Sequence, residues 1–371
     1  MRLESAQGLK QQLLKEVVEP FVIWASRLRG KGASTVASAA RAGAMLGGPI
    51  ASFGVSARAF DTLPKIPRSV ALGVARHQGE YTLAVRVQRP SLVESPLMEH
   101  LTRQAKGEVD VRVVGRIDKR ARARRAARSS ISAAAVIPWY QRNTRPLSIG
   151  ASVGHDDVTA WTIGAFVRRG GTAYLLSNNH VLAKEDQARA GDRILQRAKY
   201  DGGRDPSERV ARLRFWIRLK QAGANFVDAA LAEIDKAVPY DVSGLRGVQH
   251  GVDRKLVGLG PAFTDEGEMV FKIGRTTGPT SGRVTAFDLD NVIVNYDKGN
   301  LRFDGQIEIE GVGNAAFSDG GDSGSLILNA SMEAAALLFA GGDSGGSNGR
   351  GLTYANPIHQ VLKDLKATLL F

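Results

Sequence analysis

The sequence predicts a mainly β protein, and three observations carry that expectation. Forty-two of its 371 residues are glycine, which tight turns between short strands demand. From about Pro146 onward the chain reads as short apolar runs bounded by Gly, Asn, Asp and Ser, the pattern of many short strands. Several runs also carry polar residues of the kind found at strand ends and turns: Leu175 to Leu182 carries Asn178-Asn179-His180, Asn225 to Leu231 carries Asp228, and Leu326-Ile327-Leu328 follows Gly321-Asp322-Ser323-Gly324-Ser325. The length leaves room for about two domains. An apolar fraction of 43% with 23% charged residues is that of a globular chain. The absence of cysteine excludes a disulfide framework and a thiol nucleophile, and leans towards the cytoplasm.

The elements follow in order. Residues 1–68 read as an N-terminal helical segment, in which Leu13, Leu14, Val17, Val18, Phe21 and Trp24 recur at helical spacing, fit to pack on a neighbouring domain or subunit. A membrane-surface role for Leu9 to Leu28 is the weaker alternative, and homo-oligomerisation through this region is open. No signal-like basic start with an unbroken apolar run is present. Ala33 to Val55 is interrupted by Arg41, so no membrane span is expected. Residues 69–116 read as a small α/β module, with strands over Val70–Val74, Tyr81–Val87 and Val109–Val114 and a helix over Pro90–Ala105. Residues 117–145 read as a basic linker. Its run Lys119 to Arg128 contributes to a net charge of +13 and suits either a solvated connection or incidental binding of nucleic acid or another polyanion. Residues 146–371 then form the largest unit.

In that unit His180, Asp228 and Ser323 stand 48 (228 − 180) and 95 (323 − 228) residues apart. A serine hydroxyl needs a base to take its proton, imidazole titrates near neutral pH, and a carboxylate can hold the ring in the correct tautomer. The order His, Asp, Ser, with Gly-Asp-Ser-Gly around the last, resembles the chymotrypsin-like serine peptidases. Finer segments, among them Leu175 to Leu182, Gly191 to Gln196, Asp201-Gly202-Gly203, Phe271 to Gly278 and Leu337 to Gly341, resemble bacterial intracellular trypsin-like peptidases related to the plant narrow-leaf proteins. A second Gly-Asp-Ser-Gly at Gly342 to Gly345 is the competing nucleophile site. Only Ser323 is followed by a strand pair and a C-terminal helix, starting near Pro357, so Ser344 is expected on a loop beside the pocket.

The resemblance implies a double six-stranded antiparallel β-barrel with the cleft between the barrels, His180 and Asp228 from the first and Ser323 from the second, which is expected to start near Lys255. It implies a serine endopeptidase acting on protein or peptide substrates through an acyl-enzyme, with an oxyanion hole from the N–H groups of Gly321 and Ser323. It places Phe317 and Ser318 at the floor of the substrate pocket and Phe339-Ala340-Gly341 along its wall, which favours apolar residues before the cut. Asp322 is expected to pair with an arginine or with backbone donors. No cofactor and no metal is expected, since the six histidines are scattered and no metal-ligand spacing occurs. The alternative function is a catalytically silent scaffold, or a polyanion-binding protein, on the same fold.

Overall fold

The computed structural model describes residues 1–18, 70–119, 137–157, 159–262 and 265–371. Ala33 to Val55, the end of the Leu9 to Leu28 stretch and Arg120 to Arg128 lie outside the described residues.

The N-terminal helix α1 (Leu3–Leu13), prolonged by a wider turn over Leu14–Val18, packs on a three-stranded module. That module comprises β1 (Val70–His77), β2 (Glu80–Val87), α2 (Pro96–Gln104) and β3 (Val109–Val113). Leu13, Leu14, Val17 and Val18 share one apolar cluster with Leu83, Val85 and Leu101, so the helical spacing of these residues serves packing within the chain. The helix expected over Pro90–Ala105 is broken. A single 3₁₀ turn covers Pro90–Leu92, and Pro96 starts a new helix at its first turn, with Ser95 as cap accepting from the Met98 N–H at 3.3 Å. Within the stretch expected as linker, Ile117–Asp118 forms a short strand, β4.

Two barrels follow. The first uses β5 (Ser152–His155), β6 (Trp161–Thr162), β7 (Ala165–Arg169), β8 (Thr172–Ser177), β9 (Arg193–Leu195), β10 (Arg209–Trp216) and β12 (Ala230–Ile234), with helix α3 (Asn179–Leu182) after β8 and the two-residue β11 (Ala224–Asn225) before β12. Pairing runs β5–β9–β10–β12–β8–β7, all antiparallel. The circle closes because β6 and β7 are two halves of one strand bent at Gly164: β6 pairs with β5, and the Gly164 N–H donates to Leu176 O at 2.9 Å. A β-carbon at Gly164 would lie 2.3 Å from Gly324 O, so only glycine lets the two barrels approach there.

A hairpin of β13 (Gly244–Gln249) and β14 (Val252–Lys255), then β15 (Gly258–Leu259), precede the second barrel, which begins at Met269 and not near Lys255. The residues after Lys255 run alongside β22, not into the barrel wall. The barrel consists of β16 (Met269–Gly274), β17 (Gly278–Asp290), β20 (Gln306–Gly311), β21 (Leu326–Asn329), β22 (Glu333–Gly342) and β23 (Leu352–Pro357). Its antiparallel pairing closes as β16–β17–β20–β23–β22–β21–β16. Between β17 and β20 the hairpin of β18 (Val292–Tyr296) and β19 (Gly299–Phe303) reaches out, and α4 (Ile358–Leu365) and β24 (Thr368–Leu369) end the chain. The fold is therefore mainly β, a chymotrypsin-like pair of six-stranded barrels with an N-terminal helix. Val153, Phe166, Leu175, Val210 and Leu231 are buried in one cluster, and Val270, Val284, Ile309, Ile327 and Leu338 in another. No described helix is long and apolar enough to cross a membrane.

Candidate active site

β8 delivers His180. The strand ends at Ser177, Asn178 takes an extended backbone, and His180 sits on the single turn of α3. Asp228 lies just before β12, which pairs with β8, and the two side chains meet: His180 Nδ1 is 2.5 Å from Asp228 Oδ2. Three further bonds fix the carboxylate and a fourth holds the backbone of the same residue. The N–H groups of Asn179 and His180 donate to Oδ1 at 2.6 and 3.2 Å, Tyr296 Oη donates to Oδ2 at 2.7 Å, and Asn356 Oδ1 holds the Asp228 N–H at 2.9 Å. Burial opposes ionisation of Asp228, but the adjacent His180 and the hydrogen bonds outweigh it and hold the carboxyl below the usual carboxylate range. Burial and the same carboxylate push the Tyr296 phenol well above its ordinary value, so it stays a donor.

Ser323 enters from the second barrel, in the loop before β21. Its Oγ donates to Phe339 O at 3.4 Å, whereas His180 Nε2 is buried without a partner. The serine, the aspartate and the histidine side chain are all inaccessible to solvent. Trp161 stands edge-on to the His180 ring at 5.0 Å between centroids, and Tyr296 at 5.9 Å.

The loop before Ser323 is tied down from both barrels. Thr162 Oγ1 donates to Gly321 O at 3.0 Å, and the Thr162 N–H donates to Ser323 O at 3.2 Å. Asp322 is fully buried and accepts from the N–H groups of Thr276, Thr277 and Asp319 at 2.8, 3.1 and 3.0 Å. Its cation is Lys272, 3.3 Å away and equally buried. Backbone donors are thus present as expected, but the partner is a lysine on β16, while Arg275 pairs with Asp201. Gly321 has φ +99°, and a β-carbon there would lie 2.3 Å from Thr276 Oγ1. Among the described residues no backbone acceptor takes the N–H of Gly321 or of Ser323.

Phe317 is buried in the apolar cluster of the second barrel, with Lys272 Nζ 5.6 Å from its ring centre. Ser318 Oγ lies 2.7 Å from Thr353 Oγ1. Phe339 and Ala340 are buried in a cluster with Tyr296 and Phe303. Ser344 is exposed on the loop after β22, two residues beyond the end of that strand (344 − 342). Tyr296, Asn356 and Lys272 carried no motif that sequence reading could catch, because each is brought in by strand pairing distant in the chain. Asn178 and Asn179 were visible, and their role is to hold Asp228: Asn178 Nδ2 donates to Asp228 O at 2.7 Å.

One possible metal-ligand group occurs among the described residues, His155, Asp156 and Asp157, with ligand atoms within 4.8 Å of one another. Its imidazole is already engaged, by Asp192 at Nε2 and by the Asp157 N–H at Nδ1, each at 3.1 Å.

No family model matches the chain, and no curated protein does. Among solved structures, protease A of Thermobifida fusca is similar with 18% identity and a TM-score of 0.43, over 61% of this chain and 99% of that one. The chymotrypsin of Cellulomonas bogoriensis gives 18% and 0.42 over 61% and 99%. An alpha-lytic protease homolog, N4, gives 22% and 0.42 over 60% and 99%. These neighbours are named as a protease, a chymotrypsin and a protease homolog; the two-barrel description above rests on this chain's own strand pairing.

Proposed function

We propose that the chain is a serine endopeptidase. The observation that carries this is the His180–Asp228 pair, buried at 2.5 Å, with a free Nε2 on the side away from the carboxylate. Rotation of the Ser323 side chain off Phe339 O would offer its hydroxyl to that nitrogen. Ser323 Oγ then attacks the scissile carbonyl carbon while Nε2 takes its proton. The tetrahedral oxyanion is received by the N–H groups of Gly321 and Ser323, and the C–N bond breaks as His180 returns the proton to the leaving amine. Water attacks the resulting acyl ester by the same route, and Ser323 regains its proton. The catalytic unit is residues 146–371, acting on a protein or peptide, and the cytoplasm is the compartment that suits a chain without cysteine. The narrower kinship with intracellular trypsin-like peptidases rests on the sequence segments quoted above.

A second reading is a catalytically silent scaffold, favoured by the Ser323 hydroxyl pointing at Phe339 O and not at His180. A fluorophosphonate probe separates the two. The peptidase labels at Ser323, and Ser323→Ala abolishes labelling while Ser344→Ala leaves it intact. No labelling of the intact chain, nor of a Lys119→Ala variant that frees the strand beside Gly341, would support the scaffold.

A further inference from the structure

β22 is incompletely paired along the edge that faces β21. β21 pairs from Ala334 to Leu337, Ser325 and Gly324 extend the pairing to Leu338, and beyond it that edge of β22 carries on past Phe339, whose carbonyl holds the Ser323 hydroxyl. The chain's own β4 fills the gap. Asp118 pairs antiparallel with Gly341, while on its other side Ile117 and Asp118 pair parallel with Val294 and Asn295 of β18. A two-residue strand is thus clamped between two others. Because the pairing is antiparallel, the chain runs from Asp118 towards Phe339. Gly341 is two residues from Phe339, roughly 7 Å along an extended strand.

The side chains of this segment are seated as ligands are. Ile117 is buried in one cluster with Tyr296, Phe339 and Ala340. Lys119, the next residue towards Ser323, donates its N–H to Asn295 O at 3.2 Å. Its ammonium binds Glu185 and, at 2.7 Å, Asp297. Glu185 is a buried carboxylate on the loop that follows α3, and it also accepts the N–H groups of Asp297 and Lys298 at 3.2 and 3.1 Å. A buried carboxylate without a cation is costly, so this position selects for positive charge. Lys119 Nζ lies 6.0 Å from the centre of the Tyr296 ring, whose hydroxyl holds Asp228. The cation site therefore adjoins the His180–Asp228 pair.

We propose that the groove between β18 and β22 is the substrate site, and that β4 occupies it in the place of substrate. The proposal rests on the peptidase reading for its consequence. Main-chain pairing with β22 provides an extended, sequence-tolerant grip. Selection comes from the Ile117 position, which takes an apolar residue, and from the Lys119 position, where Glu185 takes lysine or arginine. The favoured substrate is an extended peptide with an apolar residue two positions before a basic one. It enters only when β4 withdraws.

The test uses the full chain carrying Ser323→Ala and a fluorescent hexapeptide copying Val114 to Lys119. Adding Lys119→Ala to the chain loosens β4, and the peptide is expected to bind at least tenfold more tightly than to Ser323→Ala alone. Lys119→Arg keeps the clamp and should bind as weakly as the parent, which guards against a folding artefact. Replacing the lysine of the peptide by methionine, or adding Glu185→Gln to the chain, should remove the gain. Equal affinity for clamped and loosened chains, no binding to either, or indifference to the peptide's charge overturns the proposal. Fluorophosphonate labelling of Ser323 in chains that keep the serine is scored separately. A chain that binds the peptide but is never labelled keeps the groove and loses the peptidase, and one that is labelled but binds no peptide does the reverse.

Discussion

At the scale of single residues, the site depends on groups that no neighbour can replace. Asp228→Asn would leave the fold but give His180 a partner that can favour the wrong tautomer, and hydrolysis should fall about 10⁴-fold. Combining that change with Ser323→Ala should add little, as members of the proposed triad would act as a unit. Gly321→Ala meets both the positive φ and the Thr276 hydroxyl, and should cost about 10²–10³ in kcat by displacing an oxyanion donor. The carboxyl of Asp228 is depressed on folding, so its contribution to stability is complete above the unfolded value of about 3.9 and is lost as pH falls below it towards the folded value. Tyr296→Phe removes one of the groups that depress it. Urea midpoints between pH 6 and pH 3 should then fall less steeply for Tyr296→Phe than for the parent, from a lower starting stability at pH 6. Parallel curves would show that the phenol does not bear on the carboxylate.

At the scale of elements, the module and the second barrel are joined by buried charge. Arg86 on β2 lies against Glu308 on β20 at 2.8 Å, both inaccessible, with Asp110 and the Tyr354 hydroxyl completing the set. Burial disfavours the Arg86 cation, yet Glu308 and Asp110 more than compensate and keep it protonated. Arg86→Ala should lower the unfolding free energy by about 3–5 kcal/mol, because it strands a buried carboxylate, and denaturant titration measures it. How far such elements could be read in advance differs by region. The strand pair after Ser323 and the turn between its strands were legible, since two short apolar runs flank Asn329-Ala330-Ser331. The candidate triad could be singled out because its residue types stand in the order His, Asp, Ser. The Arg86–Glu308 pair, Lys272 beneath Asp322 and Tyr296 on Asp228 were not, because each joins strands that are remote in the chain and leaves no local pattern. Pro96 did leave one, and it splits a stretch that apolar spacing alone would make a single helix.

At the scale of the whole molecule, the long strand β17 sets how the parts combine. Its first half pairs with β16, Met269 opposite Arg283 through Gly274 opposite Gly278, and its far end outruns that partner. β1 takes over there, with Val74 opposite Phe287 and Leu72 opposite Asp290, so barrel and module share one continuous sheet. Lys10 of α1, itself fully buried, closes the end of that seam on Asp288 and Asp290, each at 2.8 Å. A barrel escapes intermolecular stacking by having no free margin, and here that immunity is completed by a piece of chain 213 residues away (287 − 74). Excising residues 70–113 to isolate the barrels would uncover a run of unpaired amides beside Ala286 and Phe287, a template for other copies. Such a truncate is expected to self-associate through β17, visible as concentration-dependent light scattering and thioflavin binding, and a charge placed at Phe287 should suppress both.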